Sequence, residues 1–225
     1  MKIKFLLGLF LLGLAASYSQ KTYEFNYVIE YENSGTGAID DSKTNNRYLS
    51  YQFFNSKDNS YILSVTDDTV TTKMWLILSD GQTFYGDIAS EDFFVQGISL
   101  KCPKNWKKSN GQYEKLKDYD FVMKEDIFED SRKYYHYVIN PLIKNNKETY
   151  YPSPIHYIID NSLDLSIPVL NPTGLIYRKW KKGDDIPNGI IKESYMVTDN
   201  GNVTLTKMLQ CVKTQKIIFI DKNCK

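Results

Sequence analysis

Histidine is scarce in this chain: two in 225 residues, His136 and His156, and no H-E-x-x-H run joins them. The three cysteines, Cys102, Cys211 and Cys224, form no C-x-x-C pair. There is no G-x-S-x-G and no glycine-rich phosphate loop either, so neither catalysis nor a cofactor is announced by a motif. Net charge is also missing, at +1 overall. A chain without a basic excess has no field to hold a polyanion, and nucleic acid is excluded as a natural partner. Beyond Leu14 no apolar run reaches the roughly 18 residues that begin to suggest a spanning helix.

The one long apolar run lies at the start. Lys2 and Lys4 precede Phe5–Leu14, and Ala15-Ala16-Ser17-Tyr18-Ser19 follows with the small residues a signal peptidase reads. The expectation is a signal peptide over residues 1–19, with Ser17 the alternative cleavage point, and a single β-rich domain over residues 20–225. Processing removes two lysines and leaves 26 basic against 27 acidic side chains. The expected location is periplasm, outer surface or medium.

What the chain has in plenty is aromatic side chains, 18 Tyr and 11 Phe among them. Tyr23, Phe25, Tyr27, Ile29 and Tyr31 stand at every second position, the period of a strand with one aromatic face. That pattern predicts that all five face the same way. It returns along the chain, with strands at Arg47–Phe54, Asn59–Thr66, Thr72–Leu78, Thr83–Ile88, Tyr119–Glu125, Arg132–Asn140, Ile155–Asp160, Leu175–Trp180, Gly189–Val197, Val203–Val212 and Lys216–Asp221. Asp80-Gly81, Asn110-Gly111 and Asn200-Gly201 are hairpin signals, because Asn-Gly and Asp-Gly supply positive φ angles. Lys213–Gln215 reads as one further turn. Five of the seven prolines fall between Pro141 and Pro172, which predicts an irregular crossover there around one short strand. The expected fold is mainly β: one strongly curved antiparallel sheet, an open half-barrel or sandwich-like, with little helix.

Asp185-Ile186-Pro187-Asn188-Gly189-Ile190-Ile191-Lys192-Glu193, followed by a turn and a Thr-rich strand, resembles the late hairpin of exported bacterial β proteins. It is similar to the GLPGLI family and, more broadly, to folds of the lipoprotein-carrier type, although Asn188 interrupts the contiguous family signature. The resemblance implies a curved antiparallel sheet and export. It implies no catalytic residue.

Function reads most naturally as a non-catalytic binding or carrier module for an apolar or glycan ligand. Lys104-Asn105-Trp106-Lys107-Lys108 and Arg178-Lys179-Trp180-Lys181-Lys182 each set a Trp among cations. Trp106, Lys107, Trp180 and Lys181, with Tyr150 and Tyr151 of the crossover, are the candidate ligand contacts. Such a patch would suit an acidic polysaccharide or anionic head group. The plainer account of the lysines is protection of an edge strand. Two alternatives stand beside the binding module: an envelope protein that docks a partner through its sheet edge, and a hydrolase built on scattered carboxylates such as Asp120 and Glu125. His136 and His156 would make a metal site only if Asp160 joined them across a sheet. No cofactor is implied, and nothing sets an oligomeric state. In an oxidising compartment Cys102 and Cys224 are the expected disulfide, with Cys211 left within its strand; the alternative is three free thiols.

Overall fold

The structure, a computed structural model, describes residues 20–35, 46–67, 70–94, 99–100, 107–110, 116–142, 153–198 and 203–221. The strands are β1 (Gln20–Gly35), β2 (Asn46–Asn55), β3 (Asp58–Asp67), β4 (Thr71–Leu78), β5 (Gln82–Ala89), β6 (Ser99–Leu100) and β7 (Lys107–Asn110). The second half adds β8 (Tyr119–Met123), β9 (Ile127–Glu129), β10 (Arg132–Pro141), β11 (Ile155–Asp160), β12 (Ile190–Val197) and β13 (Val203–Asp221). Two short α-helices, α1 (Ser90–Phe94) and α2 (Leu175–Lys181), interrupt them.

Eleven strands lie in the order β7-β5-β4-β3-β2-β1-β13-β12-β11-β10-β8, all antiparallel, while β9 adds to β10 and β6 pairs in parallel with β13. The sheet does not close, since β7 and β8 stand at its two ends. Its middle is the β1–β13 ladder, running from Gln20 opposite Asp221 to Gly35 opposite Thr204. The two ends of the described chain thus form the central pair, and each half of the sequence meanders outward from it.

The predicted strands are found with two corrections. Val203–Asp221 is one strand of 19 residues, on the order of 60 Å long, with no turn at Lys213–Gln215. What the sequence marks there is a register shift: Phe25 pairs with Lys216 but Tyr27 with Lys213. The second correction is Leu175–Trp180, which is helical. The other predicted strands are present. Gly81, at φ 89°, turns β4 into β5 as the Asp-Gly pair requires. The Asn110-Gly111 and Asn200-Gly201 turns fall outside the described residues, though β12 and β13 pair on either side of the latter.

The same register shift corrects the reading of β1. Its odd positions are the buried ones, with Phe25 and Ile29 at 2% and 0% exposure and Tyr27 half-buried, but they do not share a face. Tyr23 and Phe25 pack edge-on against Tyr61, at 5.1 and 5.4 Å between ring centroids, in a core with Phe53, Leu63 and Met74. Tyr27 stacks on Phe54 at 5.3 Å, and Ile29 and Tyr31 join Ile62 in a second core. Phe53 and Phe54 are consecutive in β2 and so point to opposite faces of the pleat. The irregularity at Asn26, whose amide bonds Ser56, therefore carries the aromatic row from one side of the sheet to the other.

The apolar run Ile217–Ile220 lies between β1 and β6, with Ile218 and Ile220 buried and Ile217 and Phe219 half-buried. Beside it Lys216 is buried: its ammonium donates to the Phe93 carbonyl and lies 3.8 Å from that ring's centroid. Burial draws its pKa down to about 8.

The continuous β13 also keeps Cys211 too far from Cys224 for a bridge. Cys211 and Asp221 are ten residues apart on one strand, roughly 33 Å. The three further residues to Cys224 reach back about 10 Å at most, against the roughly 7 Å between Cα atoms that a disulfide allows. Cys102 and Cys224 lie outside the described residues, and their bridge is a proposal. Cys211 itself is a free, half-buried thiol pushed up to about 11, mainly by burial and further by the Asp160 charge. Only the thiolate reacts readily. Native protein at neutral pH should therefore label slowly at Cys211, and unfolding without reductant should release one reactive thiol. Release of three would remove the Cys102–Cys224 bridge.

Candidate functional site

The crossover expected from the prolines packs on the sheet, as its apolar residues suggest. Beyond β11 the buried Asp160 carboxylate accepts the Ser162 N–H at 2.8 Å and the Asp164 N–H bonds the Asn161 carbonyl at 3.1 Å. That folds Asn161–Asp164 into a turn, with Asp164 at φ 48°, a conformation Asp tolerates. Leu165, Val169 and Leu170 then enter the core, and the Pro168 carbonyl accepts from Asn59 of β3 at 3.0 Å.

A second turn, capped by the Asn171 side chain on the Thr173 N–H at 3.0 Å, leads into α2. The Leu175-Ile176-Tyr177 run looks strand-like, but the later residues repeat at helical spacing. Tyr177 meets Trp180 at 5.7 Å and Lys181 lies over the Tyr177 ring at 5.7 Å, the i,i+3 and i,i+4 neighbours of a helix. Its buried side, Leu175, Ile176 and Tyr177, joins Tyr119, Tyr137, Ile139 and Ile159 in a third core. The helix ends with the Gly183 N–H on the Trp180 carbonyl, and the chain turns through Asp184–Asn188 into β12.

This end of α2, the two loops and the edge of the sheet enclose a cleft of about 830 Å³. Trp180, Tyr135, Met123, Leu165, Ile186 and Pro187 supply its apolar walls, and Asn161, Ser166, Asn188, Asp164, Asp184 and Asp185 its polar ones. The Asn188 amide donates to the Ser166 carbonyl at 3.2 Å and ties the loops together. A smaller recess of about 220 Å³ adjoins it, sharing Met123, Asp184, Asp185 and Ile186 and adding Phe121, Val122, Tyr137 and Lys179. Lys179 pairs with Asp184 at 2.9 Å and sits 4.9 Å from the Phe121 ring centroid. Burial holds the Tyr137 phenol well above its ordinary value, so it stays protonated.

Of the sequence-predicted contacts, Trp180 lines the cleft and Lys181 covers its ring at 5.4 Å from the centroid. Trp106, Tyr150 and Tyr151 lie outside the described residues, as does the side chain of Lys107. Lys107 and Lys108 belong to β7, an end strand of the sheet, which is where edge protection places lysine. The helix α2 packs near β8, the opposite end of the strand order. Apart from Trp180, sequence reasoning missed the residues that line the cleft, among them Tyr135, Asp164 and the Asp184–Asn188 loop. Asp184-Asp185 reads in sequence as a solvated turn, and the GLPGLI-like stretch is the one signal that marks this loop. Asp120 and Glu125 are exposed and line neither cavity, and the Asp120 carboxylate accepts the next N–H, of Phe121, at 2.9 Å.

The two histidines do meet, on the other face of the sheet. His136 Nε2 is 3.1 Å from His156 Nδ1, and His156 stacks on Tyr195 at 4.4 Å. Asp160 is not with them; its carboxylate holds the Ser162 turn. Among the described residues no group of three metal-ligating side chains is found. Burial lowers both histidine pKa values from 6.5, with Lys124 acting on each and His136 further depressing His156. A lowered folded value means that the unfolded chain binds more protons at intermediate pH, so stability rises with pH there. The contribution is complete above the unfolded value near 6.5 and is lost as pH falls through the folded values. Urea midpoints should therefore drop between neutral and mildly acidic pH, and the His136→Phe/His156→Phe variant should show a flatter profile. Equal slopes would remove the pair as the cause.

No protein-family model matches the chain, and no curated protein matches it in sequence. Solved structures do resemble it. The MucA/MucB complex of Pseudomonas aeruginosa aligns with 91% of this chain at 10% identity and a TM-score of 0.43, and this chain spans 56% of that one. A LolA superfamily protein from Nitrosomonas europaea aligns over 83% of this chain and 85% of its own, at 10% identity and TM-score 0.33. A DUF1329 family protein from Desulfovibrio piger aligns over 90% and 89%, at 9% identity and TM-score 0.33. At these values the resemblance is one of outline and assigns this chain no ligand or reaction.

Proposed function

We propose that this protein is an exported, non-catalytic binding or carrier module that holds its ligand in the Trp180 cleft. Export rests on the Lys2–Ser19 sequence pattern. The observation that carries the binding reading is the cleft itself: an indole and a phenol beside amide, hydroxyl and carboxylate groups, in a volume within the roughly 300–1,000 Å³ of small-ligand sites. Half-polar walls around a flat ring favour a glycan over a wholly apolar guest, because an alkyl chain would displace water from Asn161, Asp164 and Asp185 and offer them no hydrogen bond. The filled cores on both faces of the sheet support the same choice.

Native mass spectrometry of protein purified from its own compartment tests this. Wild type should carry a bound small molecule that Trp180→Ala loses, while the far-ultraviolet spectrum stays that of a β protein. No bound mass, or the same mass on both, would end the reading.

A further inference from the structure

The cleft has a sign. Asp164, Asp184 and Asp185 line it, and no lysine or arginine is among its described lining residues. Lys179 compensates Asp184 at 2.9 Å, whereas Asp164 and Asp185 have no ion-pair partner among the described residues. Lys133, close to Tyr135, is itself held by Asp126 at 2.7 Å. Lys181 lies over the Trp180 ring at 5.4 Å, so three carboxylates stand against the ammonium groups of Lys179 and Lys181 around a space walled by Trp180 and Tyr135. An anionic ligand would meet like charge here, which reverses the expectation drawn from the lysines that flank Trp180 in sequence.

We infer that the cleft takes a saccharide bearing free amines, a glucosamine-type oligomer. This rests on the reading of the cleft as a binding site and specifies its ligand. Carboxylates give charge-assisted hydrogen bonds to an ammonium, stronger than those to neutral donors, and an aromatic face adds cation–π attraction. The Asn161, Ser166 and Asn188 groups distinguish a sugar from a simple amine, since a polyhydroxylated ring meets them and an alkylammonium does not. The indole gives the ring's C–H face a flat apolar wall.

Titration calorimetry at mildly acidic pH, where the sugar amine is protonated, tests this with a glucosamine hexamer, its fully N-acetylated counterpart, a galacturonate hexamer and a lysine hexapeptide. The glucosamine hexamer should bind, more weakly as salt rises, and the other three should bind at least roughly tenfold more weakly. Asp164→Asn/Asp185→Asn should lower its affinity by roughly tenfold or more. Asn keeps the shape and tolerates the left-handed backbone at position 164. Equal binding of the N-acetylated hexamer, or an unaffected double variant, overturns the charge assignment and leaves the cleft as a glycan site. Equal binding of the lysine peptide overturns the saccharide assignment. Failure of the glucosamine hexamer to bind a protein that carries a native ligand overturns the inference alone; absence of any native ligand overturns the underlying reading.

Discussion

Gly189→Ala is expected to destabilise the protein by about 3–4 kcal/mol or more, among the largest effects of any single methyl group in this chain. Gly189 immediately precedes β12 at φ 141°, a backbone conformation that L side chains rarely adopt. A Cβ there would stand 2.4 Å from the Asp160 carbonyl oxygen and 2.8 Å from Ile159 Cγ2. The first obstacle is backbone and cannot rotate away. The carbonyl of Gly189 also receives the Val169 N–H at 2.8 Å, which fastens the crossover to the strand. Relaxing the clash therefore disturbs both loops of the cleft. Urea unfolding should show a large fall in midpoint, and the emission of Trp180 should change in the native baseline. A loss below about 1 kcal/mol would mean that the β11–β12 approach is looser than described.

Phe25→Ala should cost about 3–5 kcal/mol, the usual range for emptying a buried ring. Phe25 is 2% exposed and touches Phe53 and Tyr61 edge-on, at 6.4 and 5.4 Å between centroids. It also stands opposite the buried Lys216 in the central ladder, so the cavity would open beside an ammonium already short of solvation. Tyr27→Ala, two residues on but across the sheet and half-buried, should cost less. If the two substitutions destabilise equally, the change of face at Asn26 is not what separates them.

The sheet was legible because alternation and turn chemistry are local. Each strand carries its own period, and Asp80-Gly81 its own φ requirement. What escaped local reading is long-range. The pairing of Gln20–Gly35 with Val203–Asp221 joins the two ends of the described chain, Gln20 with Asp221 and Gly35 with Thr204, and the register shift at Asn26 is visible only once β13 is beside it. Lys213–Gln215 looked like a turn because three polar residues divide two apolar runs. In the fold they sit where the ladder slips, and the strand continues. The α2 helix was misread because Leu175–Tyr177 are three contiguous core residues, and only Trp180 and Lys181 disclose the helical period. The cleft was half legible. Trp180 drew notice through its lysines, yet the walls that give it a ligand's chemistry come from Tyr135, Asp164 and Asp185. Tyr135 and Asp164 lie on separate elements far from the indole in sequence, and Asp185, five residues after it, reads as a solvated turn.

Ligand held between α2 and the loops around it will slow amide exchange there, which hydrogen–deuterium exchange reads on protein purified from its own compartment before and after its bound material is extracted. Removal of the ligand should speed exchange in residues 161–166 and 180–188 and leave β2, β3 and β4 unchanged. Faster exchange confined to the β1–β5 half of the sheet, or no change anywhere, would contradict that placement of the ligand.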